Sequence, residues 1–173
     1  MEIKITASVN KLGATSARII KEVAEQLGIQ TITVTSTQRP PRAQAEAMLS
    51  NIEDNILITY KAPGKAVNDL ARTLRGKRVP REQILDAMVA KIKEFSSMNP
   101  PKRVSSHCVD DEEYERLNVI DISFWKIPEA KRIPFLAAMV AKEEVVKVIQ
   151  PLSRTIRGYD AGEPALHFEI KQA

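Results

Sequence analysis

The chain has 173 residues and a mass of 19.3 kDa, room for one domain or at most two very small ones. Its 43% hydrophobic and 28% charged content is that of a globular protein and excludes collagen, low complexity and global disorder. Lys and Arg outnumber Asp and Glu by 26 to 22, and this mild surplus suits an anionic partner such as nucleic acid, an acidic membrane or a wall polymer.

The longest apolar run, residues 133–141, contains Pro134. It is far short of the ~20 residues that cross a bilayer, so no membrane span is expected. Residues 1–11 hold no apolar stretch of the Sec signal-peptide kind. The single cysteine, Cys108, excludes an internal disulfide and fits a reducing compartment.

In chain order, residues 3–9 alternate loosely and read as a short strand. Thr15 or Ser16 caps a helix running to Leu27, with Ile19, Ile20, Val23, Ala24 and Leu27 on one face and Gly28 as a stop. Residues 31–36 (TITVTS) are rich in β-branched side chains and read as a strand. Arg39-Pro40-Pro41 ends it with an extended turn, because proline fixes its own φ and restricts its predecessor. Residues 42–51 read as helix, 55–61 as either strand or helix, and 65–74 as helix closed by Gly76. Residues 82–95 carry the clearest helical stripe, Ile84, Leu85, Met88, Val89, Ile92 and Phe95, which is plain core.

After Asn99-Pro100-Pro101, residues 102–105 and 117–123 read as strands flanking an acidic loop at 110–115. Residues 128–142 read as helix with Pro134 inside, 145–149 are short and apolar, and a glycine-bearing stretch at 154–162 precedes a last strand at 165–171. The expected architecture is a single α+β domain, a small antiparallel sheet with helices packed around it.

Any chemistry that needs histidine must use His107 or His167. His107 follows the predicted strand at 102–105, and His167 lies in the last strand. Between them, Asp121 is bracketed by Val119, Ile120 and Ile122, a place where a carboxylate is costly to bury unless it is paired or binds a metal. Two histidines and a carboxylate complete the protein ligands of a catalytic zinc ion. Glu163 and Glu169 flank His167 and are candidate general bases. On spacing alone the set is weak: Asp121 can equally face solvent on the strand face it shares with Val119 and Ser123.

Ser105-x-His107, then Asp121-Ile122, then Glu163-Pro164-x-x-His167-Phe168-Glu169-Ile170 occur in that order. Upstream stand Thr35-Ser36-Thr37-Gln38-Arg39-Pro40 and Gln44. The ordered set resembles the zinc D-alanyl-D-alanine carboxypeptidase and L-alanyl-D-glutamate endopeptidase family, which includes phage endolysins and D-Ala-D-Ala dipeptidases. Two spacings depart from that family's pattern. Asp121 stands fourteen residues after His107 where the family has seven, and Glu163 stands four before His167 where the family has three. Asp110 or Asp111 is an alternative ligand, but the apolar bracket favours Asp121, and extra loop length costs little entropy.

The resemblance implies a Zn²⁺ cofactor held by His107, Asp121 and His167. Glu163 would be the general base, with Glu169 in reserve. Arg39 would stabilise the developing oxyanion or hold a substrate carboxylate, which its fork geometry suits. Arg39, Gln44 and Ser105 would bind or support the substrate, a peptidoglycan stem peptide containing a D-amino acid. A wall hydrolase without a signal peptide implies a phage lysin or an injected effector.

Three other readings stand beside this one. The first is a catalytically inactive member of the same fold serving as a structural or binding protein, for instance in a phage particle. The second is a cysteine hydrolase built on Cys108 and His167. The third is a nucleic-acid module using the basic cluster Arg72, Arg75, Lys77, Arg78 and Arg81, in which no aromatic residue is interleaved for base stacking.

Overall fold

The computed structural model describes residues 1–7, 11–56, 58, 60–151, 160–163 and 165–173, with the backbone alone at 160–163. Helices and a sheet coexist in it, as the α+β expectation required. The chain divides into two compact units, Met1–Gln38 with Asp110–Ala173, and Arg39–Val109.

The first unit holds the sheet. Its elements are β1 (Glu2–Ile5), α1 (Ala14–Gln26), β2 (Thr31–Ser36), α5 (Asp111–Arg116), β3 (Leu117–Ile122), α6 (Glu129–Val140), β4 (Val145–Pro151), β5 (Asp160–Glu163) and β6 (Leu166–Lys171). The strand order is β1-β2-β3-β6-β4-β5. The expected antiparallel sheet is corrected to a mixed one. β2, β3, β6 and β4 are mutually antiparallel, whereas β1 pairs with β2, and β5 with β4, in parallel. The β1–β2 pair is parallel because α1 lies between them in sequence as a crossover.

Period-two alternation sorts the central strands into two faces. Ile32, Val34, Ile120, Ile122, Leu166, Phe168 and Ile170 pack with Ile19, Ile20 and Val23 of α1 and Phe135, Leu136 and Met139 of α6. Phe168 meets Phe135 edge-to-face at 6.5 Å. The residues in between, Asp121 on β3 and His167 and Glu169 on β6, fall on the opposite face. α1 ends as its sequence predicts: Gly28 takes φ 62°, and the Ile29 amide closes back onto the Ala24 carbonyl at 2.8 Å.

The acidic stretch after Val109 is a helix, α5, and not the loop expected. Asp110 caps it by accepting the Glu113 amide at 2.8 Å, and three acidic residues in the first turn suit the positive end of the helix dipole. The strand expected at 3–9 is the shorter β1, with residues 8–10 outside the described ones. Most of the stretch at 154–162 also lies outside them.

The second unit contains three helices, α2 (Pro41–Glu53), α3 (Ala62–Gly76) and α4 (Arg81–Ser96). Pro41 opens α2 at a position where its missing N–H goes unused. Ala45, Met48 and Leu49 of α2, Val67 and Ala71 of α3, and Leu85, Met88 and Ile92 of α4 form its core and are fully buried. The strand expected at 102–105 does not form: that segment is bends and turns. It follows two prolines, and Val104 and Cys108 spend their apolar surface in the helical core, so no strand ladder competes for them.

Candidate metal centre

Asp121 and His167 are opposite residues in the β3–β6 ladder, the fifth of six consecutive pairs from Leu117↔Lys171 to Ile122↔Leu166. Opposite residues present their side chains on one face, here at close range. Asp121 Oδ1 lies 3.0 Å from His167 Nδ1. Both residues are buried, at 7% and 1% exposure. A carboxylate in such surroundings needs a partner to offset desolvation, and the ring supplies it.

The other ring nitrogen of His167, Nε2, lies 3.6 Å from Glu169 Oε1. Glu169 Oε1 also receives Lys147 Nζ at 2.7 Å. The neighbouring His167 ring, with Lys147 beside it, holds Glu169 down to about 2 against the opposing effect of burial. The proposed reserve base is therefore an ionised carboxylate paired with Lys147, with the His167 ring beside it and beyond hydrogen-bond distance.

His107 sits in the turn segment of the second unit. Its amide approaches Ser105 Oγ at 3.3 Å, and the Cys108 amide bonds the Ser105 carbonyl at 3.1 Å, so Ser105 shapes the turn that presents the imidazole. The His107 carbonyl accepts the Arg39 amide at 2.8 Å, which ties the Arg39-Pro40-Pro41 turn to the histidine segment. Four residues into that region, Gln44 on α2 is fully buried, and neither its Oε1 nor its Nε2 has a hydrogen-bond partner among the described residues. A buried amide left unsatisfied costs about 1–3 kcal/mol.

Among the described residues, His107, Asp121 and His167 form a buried group that could hold a metal ion, each offering one ligand atom, with those atoms within 4.8 Å of one another. A tetrahedral zinc ion with bonds of 2.0–2.1 Å separates its ligand atoms by roughly 3.3 Å. Imidazole and carboxylate donors suit zinc and, equally as a donor set, non-haem iron.

The alternative ligands Asp110 and Asp111 are engaged elsewhere: Asp110 caps α5, and Asp111 takes Lys11 Nζ at 2.8 Å and Gln38 Nε2 at 3.0 Å. Glu163 lies in β5, and its side chain is outside the described atoms. Burial pushes the Cys108 thiol up to about 11 although the Arg39 charge pulls the other way, which is opposite to what a nucleophilic cysteine needs. The period-two spacing already put Glu169 on the strand face of His167; its partner Lys147, on a different strand, was not legible in the sequence. The chain matches no family model, no curated protein sequence and no solved structure.

Proposed function

We propose that the protein is a zinc-dependent metallopeptidase acting on peptidoglycan stem peptides, at bonds next to a D-amino acid. The observation that carries this reading is the buried His107, Asp121 and His167 group, the ligand set of a hydrolytic zinc site. The order of Ser105-x-His107, Asp121-Ile122 and the His167 segment along the chain supports it.

When bound, zinc supplies Lewis acidity toward a peptide carbonyl. The residues do the rest. Glu169 lies 3.6 Å from Nε2 of His167, and Nδ1, beside Asp121, would be the ligand atom, an arrangement in which an outer carboxylate can swing in to orient a metal-binding imidazole. Arg39, tied by its amide to His107, offers a fork for the terminal carboxylate of a stem peptide or for negative charge developing on the carbonyl oxygen. Gln44 brings a donor and an acceptor suited to a peptide backbone. Ser105 holds the His107 turn. Glu163 takes the proton at the attacking oxygen and returns it to the leaving amine.

The deciding experiment is elemental analysis of protein purified without a histidine tag, beside His107→Ala, followed by incubation with soluble stem peptides. About one zinc per chain, absent in the variant, together with release of a D-amino acid or a shortened peptide, is the expected result. No metal after incubation with excess zinc ends the hydrolase reading. Iron in place of zinc reassigns the chemistry to that ion.

A further inference from the structure

Charge is unevenly divided along this chain. Arg39–Val109 carries 13 of the 26 basic residues and 7 of the 22 acidic ones, a formal +6, while the remaining residues sum to −2. Elsewhere the basic side chains are commonly neutralised, Arg18 by Glu22 and Glu144, Arg42 by Glu46, Glu82 and Asp86, Lys142 by Glu22. The end of α3 departs from this habit. Arg72, Arg75, Lys77 and Arg78 are exposed, and none has a carboxylate partner among the described residues. Arg81 beside them is paired with Glu53 at 3.2 Å.

The unpaired cations border a built feature. A concavity of about 330 Å³ is lined by Asn51, Ile52, Asn55, Ile56, Arg72 and Arg75. Arg75 Nη1 bonds the Ile52 carbonyl at 3.4 Å, which fixes its guanidinium at the rim. Two guanidinium groups and two side-chain amides offer only weak competition from acceptors, the lining of an anion site.

The turn after α3 ends the helix with a left-handed residue, as such turns commonly do. Arg78 holds φ 59° in the turn after α3, where the Val79 amide closes onto the Leu74 carbonyl at 3.1 Å. That left-handed position favours glycine, and a long branched cation occupies it at a cost in strain.

We propose that the end of α3 and the turn after it form a docking surface for a linear polyanion, a polyol phosphate of the bacterial wall whose phosphodiesters enter the Arg72–Arg75 concavity. The choice of this polymer rests on the peptidase reading above. It is favoured over single-stranded nucleic acid because the sequence from Asp69 to Glu82 contains no aromatic side chain on which a base could stack, and over a duplex by the peptidase reading. A surface that holds the wall polymer raises the local concentration of stem peptide at the metal group.

The test measures binding of the full-length protein to fluorescent poly(glycerol phosphate) between 50 and 200 mM salt. A matched single-stranded DNA and a 20-base-pair duplex serve as competitors. Neutralising about four phosphates predicts a fall in affinity on the order of 10–50-fold over that range. The variant Arg72→Gln/Arg75→Gln is expected to lose at least ten-fold in affinity with unchanged metal content and unchanged hydrolysis of soluble stem peptide. Arg78→Gly is expected to weaken binding while raising the melting temperature, a combination that a purely structural arginine does not give. Absence of binding at 50 mM salt, equal binding by the variants, or tighter binding of either DNA overturns the proposal. A protein that binds the polymer through these arginines but takes up no metal and cleaves nothing refutes the peptidase reading and leaves the docking surface standing.

Discussion

Asp121 Oδ1 and His167 Nδ1 lie 3.0 Å apart because the two residues are opposite in the β3–β6 ladder, so the strand register, not a loop, sets their separation. Two ligands on paired strands are held more rigidly than ligands on loops, which fixes the Asp121–His167 edge of the group. His107→Ala, Asp121→Ala and His167→Ala should each bring zinc from about one per chain to none. At a free metal concentration 100 times its dissociation constant, zinc should stabilise the native protein by about 2.7 kcal/mol, and this increment should vanish in all three variants and on chelation. Thermal melts with and without chelator check it; an increment that survives in His107→Ala removes that residue from the site.

Glu169 Oε1 lies 3.6 Å from the His167 nitrogen that faces away from Asp121, close enough for a small rotation to bring it into the role of an outer carboxylate. Glu169→Gln should weaken zinc affinity by about 10–100-fold, the usual cost of losing a carboxylate behind a ligating imidazole. Stoichiometry at saturating metal should stay at one. Competition with a chromophoric chelator separates the two quantities, and an unchanged affinity rejects the orienting role.

Gly64 lies in the first turn of α3, where an added Cβ would stand 2.6 Å from the Val104 carbonyl oxygen and 2.8 Å from Tyr60 Cβ. Glycine-to-alanine replacement in a helix ordinarily stabilises by up to ~1 kcal/mol. Here the sign should reverse, with Gly64→Ala costing about 1–3 kcal/mol because backbone must move. Val104 leads directly into the turn that carries His107, so metal affinity should fall as well. Urea denaturation and a zinc titration of the same variant read both effects.

Tyr114 is buried at 1% exposure and donates its hydroxyl to the Lys11 carbonyl at 2.8 Å. Burial raises its phenol from 10.0 to about 12, despite hydrogen bonds involving Gln38 and Thr37 that pull it down. The folded protein therefore holds this proton more tightly than the unfolded chain does. The stability this provides is complete below pH 10 and is lost as pH rises toward 12. Tyr114→Phe should be less stable than the parent by about 1 kcal/mol at pH 7–9 through the lost hydrogen bond. The gap should narrow above pH 10, and urea midpoints of the two proteins across that range check it. A gap independent of pH refutes the assignment.

The sequence revealed what depends on local pattern. The stripes of α1 and α4 and the apolar bracket around Asp121 follow from single-residue periodicity, so the helices, the central strands and the ligand candidates were legible. Residues 102–105 were misread because β-propensity measures fitness for a half-buried surface, and Val104 found that surface among helices. The acidic stretch was misread because its charge resembles a solvated loop, while the Asp110 cap acts through geometry three residues away. The parallel outer pairs of the sheet depend on which strands meet across long sequence separations, which no local window records. Gln44 was legible only through resemblance; its unsatisfied amide is a property of the folded core.

Gln38 and Asp111 are joined by a 3.0 Å hydrogen bond, and they lie at or beside the two points where the chain leaves the sheet-bearing unit and comes back to it. The Arg39–Val109 insert is thus a parenthesis whose opening and closing marks stand side by side. A gene in which a few turn-forming residues replace those codons would need to bridge only a short gap. The entropy of closing so small a loop would be less than that of the natural excursion. Such a shortened protein would keep the Asp121–His167 ladder and lose Arg39, Gln44, Ser105, His107 and the α3 arginines in a single cut. The insert can therefore be gained, lost or exchanged as one cassette in a single event, while the sheet keeps Asp121 and His167 in register.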